Sequence, residues 1–551
     1  MLSLILLWSA SALASPPVER SALRDDLLAQ FQELTRPTRD AAPDQVCLTP
    51  LVRQLVDNWD LFSTAEKAEM TSKLAPFKAD LADALPALPA PPPGATSATP
   101  CFAPDGSYEV LTDDDNHFYV AWETGAIDEG DAADMLDAIN HGWESEIDDL
   151  GWKEPVGTDT YPILVYIYAD DSSAGAYTTV QYCSGQGYMP YIVASSGSFY
   201  GGSWYQDMAV HEFNHASQWG YSRETGGYNY NIDLWWWEAT ATWVQEHVNP
   251  SNNWWSQYIT GYTSRPYIAM EASNQSSNTE FWHMYGMSIF AFYLDEHVGG
   301  HDFVLDMWKY AGRSSARDLD IQELIEGAGG DWEEIYLGFI VNNTVMDFDE
   351  RRYFGSVDTS ERIDALPASG ASSSRTAPEG FGQDYLKFEA DAAEPGDTVR
   401  FSFDGEDDED WYVIVVEADG NDLVGWEQLD LDGDQNQGEI AFTLDGDADF
   451  FVIVSPNSNS KNGKDYTWSA ELVASGEGEG EGEGEGEGEG EGEGDTSDVD
   501  EHGEEGDGPL NTPSEKGGVC GCASTGDAPE GSGVALGWLA GAALLTVRRR
   551  R

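Results

Sequence analysis

The motif His211-Glu212-Phe213-Asn214-His215 constrains this chain more than any other stretch of its sequence. On an α-helix, residues four apart lie one turn above each other on the same face, so His211 and His215 can offer two imidazole nitrogens to one metal ion. Glu212 lies one step round the helix, near enough to reach a water on that ion without ligating it. The motif therefore predicts a helix that carries two metal ligands and one general base.

A third ligand has to come from elsewhere in the chain, because catalytic zinc takes three protein ligands and keeps one position for water. Glu238 opens a second helix-like segment, at a spacing that permits an antiparallel helix pair. We therefore predict Zn²⁺ as the cofactor, bound by His211, His215 and Glu238. The alternative is an amphipathic core helix whose histidines are hydrogen-bonded and inert.

Together with Trp237-Glu238-Ala239-Thr240-Ala241, the first motif resembles the gluzincin metallopeptidases, and most of all a group of secreted myxobacterial peptidases. The likeness covers residues 47–349. It implies a zincin-like fold, zinc ligands at His211, His215 and Glu238, the base at Glu212, and a protein or peptide substrate. Thr242 stands where the thermolysin-like branch has an aspartate, so the hydrogen-bond partner of a zinc-bound histidine has to come from another position.

The stretch Trp282-His283-Met284-Tyr285-Gly286 offers two candidates for the donor that stabilises an oxyanion. We prefer Tyr285 as the second catalytic residue over His283, because a phenol can donate without being charged. For both side chains the alternative is a buried core residue with its hydrogen bonds satisfied. The run Trp235–Trp237 is more typical of core than of a substrate surface.

The charge of the chain limits its partners. Its 551 residues include 27 basic and 100 acidic side chains, for a formal charge of −73. Such a charge repels phosphate backbones and anionic lipid, which argues against nucleic acid as a partner. Much of it lies in acidic loops and in residues 476–494, where glycine and glutamate alternate and predict an extended spacer over 475–519.

Residues 1–14 form an apolar stretch that ends in Ala12-Leu13-Ala14, a pattern typical of a secretory signal peptide, so we expect a secreted or cell-surface protein. Residues 15–100 contain helical periodicity followed by an Ala/Pro linker, and are interpreted as either a propeptide or an N-terminal brace. In an oxidising compartment Cys47 and Cys101 are expected to form a disulfide, which leaves Cys183 as a buried thiol.

The fold class predicted for the remainder is α+β. Residues 101–360 have a mixed α/β half followed by a helical half, and form the predicted metallopeptidase domain. Within it, Tyr188–Ala194 is predicted as an edge strand along which an extended peptide aligns. Residues 361–381 are predicted as a linker. Residues 382–474 contain short strands separated by turn residues, which predict an antiparallel β-sandwich of the accessory type.

One acidic run in the sandwich raises the question of calcium. Asp430, Asp432 and Asp434 have the D-x-D-x-D spacing of calcium ligands. The glycine and the distal glutamate of an EF-hand loop are not at their positions. We therefore favour an acidic turn and keep Ca²⁺ as the second cofactor hypothesis.

Residues 520–551 combine Cys520-Gly521-Cys522, an apolar run over 534–547 and four arginines. This order resembles the C-terminal sorting tails of myxobacteria, which implies cleavage near the cysteines and attachment at the cell surface. The alternative is a plain membrane anchor. In either case we expect membrane contact only through this tail.

Two functions from different classes follow. The first is a zinc-dependent peptidase in which Glu212 takes a proton from the attacking water. The alternative is a surface adhesin or binding protein that uses a non-catalytic zincin-like scaffold. A zinc hydrolase that acts on a non-peptide amide shares every ligand with the peptidase and differs from it only in the shape of the pocket.

Overall fold

The structure, a computed structural model, describes parts of residues 23–70 and most of residues 99–473. All described residues belong to one compact unit, Met1–Gly478. The predicted signal segment, the spacer and the sorting tail lie outside the described residues. Within 99–473 the residues not described are 103, 105–106, 113–116, 171–173, 222–231, 275–276, 315–318, 390–391, 433–435 and 445–447.

A six-stranded mixed sheet forms the first half of this unit, in the order β1-β5-β6-β4-β3-β2. Strands β3, β4 and β6 run parallel to one another, β5 is antiparallel to β6, and β1 is parallel to β5. Strands β3 and β4 are buried along nearly all their length, which accounts for their continuous apolar sequences. The strands are β1 (Gln45–Cys47), β2 (Tyr108–Thr112), β3 (Phe118–Glu123), β4 (Ile163–Tyr168), β5 (Ala174–Cys183) and β6 (Gly187–Ser195).

The predicted edge strand Tyr188–Ala194 is wrong in its position. These residues lie in β6, which has β5 on one side and β4 on the other. The reason is visible in the burial, because seven successive residues of β6 are buried, as in an interior strand.

Ten α-helices have both ends among the described residues, and α2 shows how the sequence starts one. The Asp128 side chain accepts hydrogen bonds from the N–H groups of Gly130 and Asp131, and the Asp131 carboxylate accepts from the Asp128 N–H, which completes a capping box. The helices are α1 (Thr49–Asp57), α2 (Glu129–Trp143), α3 (Trp204–Trp219), α4 (Leu234–Val248), α5 (Ser256–Thr263), α6 (Asn278–Gly286), α7 (Ser288–Tyr293), α8 (His301–Arg313), α9 (Ile321–Ala328) and α10 (Trp332–Val345).

Two glycines allow α5 and α6 to pack backbone against backbone. A Cβ at Gly261 would collide with the main chain of Trp282, and a Cβ at Gly286 would collide with the main chain at Tyr262. Only glycine permits an approach this close. The contact fixes the end of α6 that carries Tyr285.

Two β-sheets form the C-terminal part, which confirms a β-rich region after the helices. Their orders are β13-β10-β15-β8 and β12-β11-β14-β9-β7. Phe401, Val413 and Val452 are among the buried side chains that the two sheets share. The strands are β7 (Glu361–Ile363), β8 (Ala368–Ala371), β9 (Asp384–Phe388), β10 (Thr398–Gly405), β11 (Trp411–Asp419), β12 (Asp422–Gln428), β13 (Gln437–Thr443), β14 (Asp449–Pro456) and β15 (Tyr466–Leu472).

The expectation of a plain linker over 361–381 is wrong, because β7 and β8 lie within it and each extends one of the sheets. Strand β7 pairs parallel to β9, whereas the described strand pairs within 382–474 are antiparallel, as predicted. Both strands are short, lie at sheet edges and bury few side chains, so neither Glu361-Arg362-Ile363 nor Ala368-Ser369-Gly370-Ala371 gave a strand signal.

The five-stranded sheet packs directly on α10. The Tyr385 hydroxyl donates to the Ile340 carbonyl oxygen at 3.0 Å, and the Tyr336 hydroxyl lies 2.6 Å from the Ser455 hydroxyl. Tyr385, Tyr336 and Ile414 belong to the same buried cluster as the tryptophans of α4. The sandwich and the helical half therefore share one core.

The described disulfide joins Cys101 to Cys183, with an S–S distance of 2.04 Å and Cα atoms 6.0 Å apart. The predicted pairing of Cys47 with Cys101 is therefore wrong, and Cys183 is not a free thiol. Pairing depends on which Cα atoms come within about 7 Å in the fold. Cys183, the last residue of β5, meets this condition with Cys101.

None of the helices in the described part of the chain is both long and apolar enough to cross a membrane. The apolar run over 534–547 lies outside that part.

A buried carboxylate in the sandwich makes stability depend on pH. Asp384 is 2% exposed, and its Oδ2 accepts a hydrogen bond from the Tyr466 hydroxyl at 2.8 Å. Burial raises the pKa of Asp384 to about 7, against the opposing effect of hydrogen bonds from Tyr466 and Ser360. The folded protein therefore holds a proton that the unfolded chain, with a pKa of about 3.9, releases.

Between about pH 4 and pH 7 this proton makes the free energy of unfolding fall as pH rises, by at most about 1.4 kcal/mol per pH unit. We expect Asp384→Asn to remove this contribution and keep the hydrogen bond from Tyr466. Urea unfolding across that range should show a shallower decline for the variant than for the parent protein. Two parallel curves would show that Asp384 is ionised in the folded state.

Candidate metal centre

Helices α3 and α4 bring the three predicted ligands together. His211 Nε2 lies 3.1 Å from Glu238 Oε2, and His215 Nε2 lies 3.3 Å from Glu238 Oε1. The three side chains are 0–4% exposed. Among the described residues they form a group in which one ligand atom from each lies within 4.8 Å of the others. The spacing of four in α3 and the facing carboxylate of α4 are both needed for this arrangement.

The geometry fits a tetrahedral zinc ion. With metal–ligand bonds of about 2.0–2.1 Å, neighbouring ligand atoms are about 3.3 Å apart, close to the two separations observed. Two imidazoles and one carboxylate also form a set that zinc accepts with one position left over. Glu238 Oε1 makes no regular hydrogen bond with the described residues, as expected for an oxygen that faces a cation. Zn²⁺ itself stays a prediction.

Electrostatics favour a positive charge between these side chains. Burial raises the pKa of Glu238, but His215 and His211 outweigh that effect and lower it to about 2. Burial lowers the pKa of His215, yet the charge of Glu238, the hydrogen bond to it and the charge of Glu212 raise it overall. A proton on His215 thus balances the charge of Glu238 as a metal ion would, and binding of the ion would release that proton.

Two glutamines hold the other nitrogens of the imidazole rings. His215 Nδ1 lies 2.7 Å from Gln218 Oε1, and His211 Nδ1 lies 3.0 Å from the side-chain amide of Gln245. When Nε2 binds a metal, Nδ1 carries the proton and needs an acceptor. Gln245 Oε1 has no partner among the described residues, so a rotation of this amide supplies one.

Because Thr242 stands where the thermolysin-like branch has an aspartate, the histidines need other hydrogen-bond partners, and these contacts provide them. The glutamines take the place of an aspartate four residues after Glu238. The sequence interpretation missed both, although their spacing was a signal. Gln218 is three residues after His215 on α3, and Gln245 is seven residues after Glu238 on α4, so each lies on the same helix face as a ligand.

The hydrogen bonds continue away from the metal centre. Gln218 Nε2 donates to Asn214 Oδ1 at 2.7 Å, and Asn214 Nδ2 donates to Glu146 Oε2 at 2.9 Å. Glu146 is fully buried on a π-helix, Glu144–Asp149, and burial raises its pKa well above the usual range despite the Asn214 hydrogen bond. This network connects the ligand His215 to an element outside α3 and α4.

Glu212 is held by one oxygen. Its Oε2 accepts from the Thr49 hydroxyl at 2.9 Å and lies 2.8 Å from the Thr178 hydroxyl, whose single hydrogen is shared with the Glu212 carbonyl oxygen at 2.7 Å. Its Oε1 has no hydrogen-bond partner among the described residues. The carboxylate is therefore fixed in direction with one oxygen available for a proton. Neither threonine was anticipated from sequence, since Thr49 and Glu212 are 163 residues apart.

Of the two candidate oxyanion donors, Tyr285 is the one near the ligands. Its ring stacks on His211 with centroids 6.1 Å apart. His283 instead packs against Tyr262, and burial lowers its pKa to about 4. The function of Tyr285 stays a prediction. The run Trp235–Trp237 is buried, in line with the core interpretation.

The calcium hypothesis gains nothing from the described residues. Asp432 Oδ1 accepts from the Asn436 N–H at 3.4 Å, as in an acidic turn. No metal-capable group among the described residues includes Asp430 or Asp432. Asp434 lies outside them.

Fold and site together define a mixed α+β protein with a buried group of two histidines and one glutamate that can hold a metal ion. No protein-family model matches the chain. No curated protein matches it either.

Twenty chains of solved structures match. The pre-peptidase C-terminal domain of a collagenase from Bacillus anthracis is 13% identical, covers 21% of this chain and 100% of that one, and has a TM-score of 0.16. PliG from Aeromonas hydrophila, a periplasmic inhibitor of g-type lysozyme, is 12% identical, with 21% and 100% covered and a TM-score of 0.13. A family GH115 4-O-methyl-alpha-glucuronidase is 10% identical, with 51% and 46% covered and a TM-score of 0.14. Scores this low carry no argument.

The glutamine contacts predict a change in metal affinity. Gln245→Leu should lower the affinity for zinc by about 10–100-fold, because the His211 ring loses the acceptor that orients it. Competition with a coloured chelator measures this affinity without any assay of activity. The matched control is Gln257→Leu, at an exposed position on α5. Equal affinities in the two variants would contradict the assignment.

Proposed function

We propose that this protein is a secreted or surface-attached zinc-dependent peptidase of the gluzincin type. The observation that carries the proposal is the convergence of His211, His215 and Glu238 beside Glu212, whose Oε1 has no partner among the described residues. This combination of three ligands and an adjacent carboxylate is what metal-assisted hydrolysis requires. A zincin-like fold, with α3 and α4 beside the mixed sheet, is part of the same proposal.

His211, His215 and Glu238 hold the metal in this mechanism. When bound, zinc lowers the pKa of a water towards neutrality and polarises the carbonyl of the substrate. Gln218, and Gln245 with its amide rotated so that Oε1 faces His211, keep the two imidazole rings in the tautomer that presents Nε2 to the ion.

Glu212 moves the proton. Thr178 fixes Oε2, so Oε1 takes the proton from the attacking water and later delivers it to the leaving amine. A base of this kind contributes about 10²–10⁴-fold to the rate. Tyr285, beside His211, is proposed to donate a hydrogen bond from its hydroxyl to the oxyanion.

A secreted location accords with the disulfide between Cys101 and Cys183, since such bonds persist in oxidising compartments. The signal segment and the sorting tail remain part of this proposal on their sequence alone. A protein or peptide is the proposed substrate, and membrane contact is proposed only for the tail.

One observation favours the second candidate, a surface adhesin or binding protein with a non-catalytic scaffold. The ligands and Glu212 are 0–4% exposed, so the centre as it stands admits no peptide. Under this alternative the metal stabilises the fold and never meets a substrate.

Replacement of Glu212 separates these two functions. Glu212→Gln should keep stoichiometric zinc and lower peptide hydrolysis by about 10²–10⁴-fold, because the amide cannot take a proton. Zinc per chain and cleavage of a peptide library, with and without a chelator, are measured together. Glu129→Gln, at an exposed position in the first turn of α2, is the control.

Hydrolysis that persists in Glu212→Gln would exclude this residue as the base. Tight zinc binding without cleavage of any peptide by the parent protein, once its site is accessible, would favour the scaffold.

A further inference from the structure

The burial of the candidate centre requires an explanation. His211 is 4% exposed, and Glu212, His215 and Glu238 are 0% exposed. A scissile peptide bond has to come within about 3–3.5 Å of the reacting groups. Some part of the chain must therefore leave before a peptide substrate reaches Glu212.

The part of the chain that meets Glu212 from outside the helix pair includes Thr49. Its hydroxyl donates to Glu212 Oε2 at 2.9 Å and accepts from the Thr178 N–H at 2.7 Å. Thr49 is 2% exposed. Thr49 thus contacts the Oε2 atom of the proposed base and a main-chain donor of β5.

Main-chain pairing holds the same segment in place. Strand β1 pairs parallel to β5 through Gln45, Val46 and Cys47, opposite Ala174, Gly175 and Ala176. In the sheet β1 lies at the outer edge of β5, the side away from β6. An extended peptide adds to a sheet at such an edge. Residues 45–47 therefore take a place that a peptide can take.

An apolar helix face anchors the segment. Leu51, Val52 and Leu55 of α1 are 1–6% exposed and belong to the same buried cluster as the strands of the mixed sheet. Burial of this apolar face provides free energy that favours binding of the segment. The contacts of Thr49 and β1 determine where on the sheet the segment binds. Residues 85–100 follow the N-terminal helical region in the sequence. They are rich in Ala and Pro and contain no helical pattern.

We propose that residues 45–57 form an autoinhibitory segment that covers Glu212 and the edge of β5, and that cleavage within residues 85–100 releases it. This inference rests on the proposed peptidase function. Of the two interpretations of residues 15–100, it favours the propeptide and not the N-terminal brace. The segment closes the site by the same main-chain edge that a peptide uses, so its departure uncovers base and edge together.

The first experiment cuts the full chain. A recognition sequence for a specific protease is placed within residues 85–100, and the zinc-loaded protein is compared before and after cutting. A tethered segment has an effective concentration of about 1 mM, which cutting and dilution to about 1 μM protein removes. We expect the cleavage rate of a peptide library and the rate of zinc loss to a chelator each to rise at least about tenfold. The N-terminal fragment should separate on a sizing column.

A synthetic peptide of residues 45–57 tests whether the segment inhibits when it is added back. Added to the cut and separated protein, it should restore slow zinc loss and low hydrolysis, with half-maximal effect at a defined concentration. A peptide with Val in place of Thr49 should need about tenfold more, because one hydrogen bond to a charged group is missing.

The Thr49→Val substitution in the uncut chain shows whether Thr49 belongs to a segment that covers the site or instead positions Glu212. For a cover, zinc loss and hydrolysis both rise in the uncut protein, while the cut protein is unchanged. Thr64→Val, at an exposed position in the same N-terminal region, is the matched control. A fall in hydrolysis in both forms would make Thr49 a support for Glu212 and overturn the inference.

Two further results separate this inference from the proposed function. Unfolding of the cut protein as the fragment leaves would identify a brace and overturn the inference. Faster zinc loss after cutting, without hydrolysis of any peptide, would support the cover and refute the peptidase. Unchanged zinc loss would refute the cover whatever the hydrolysis.

Discussion

The contact between the Glu238 carboxylate and the two imidazoles of α3 governs the arrangement around it. To bury a carboxylate costs several kcal/mol even after relaxation, and only nearby positive charge and hydrogen bonds offset that cost. His211 and His215 provide both, which keeps the pKa of Glu238 near 2 although it is buried. Helix α4 therefore has to cross α3 with Glu238 at this point, and the tryptophans beside it fill the surrounding core.

Among the described residues, the Nδ1 atom of each histidine faces the amide of a glutamine and not a carboxylate. Amide side chains at Gln218 and Gln245 serve the imidazoles, and Asn214 carries the connection to Glu146. Because each amide both donates and accepts, such a network can be satisfied without adding negative charge to a buried site. Burial keeps the pKa of Glu146 high, which favours the neutral form of this carboxyl group as well.

The rest of the fold supports the helix pair from two directions. On one side the mixed sheet presents Thr178 and, through the N-terminal segment, Thr49 to Glu212. On the other side the helical half shares its core with the β-sandwich, through Tyr336 and Tyr385. The sandwich is therefore part of one packed body with the candidate centre.

The sequence by itself determined what depends on local periodicity. A spacing of four fixed His211 and His215 on one helix face, and alternating and apolar runs indicated strands such as β4 and β11. Only the tertiary structure decided which distant segments meet. It brought Cys183 to Cys101, placed β6 in the interior of its sheet, added β7 and β8 to the sandwich and set Thr49 against Glu212. The physical reason is that backbone geometry fixes the face on which a residue lies, whereas its partner is chosen by packing and hydrogen bonding over the whole chain.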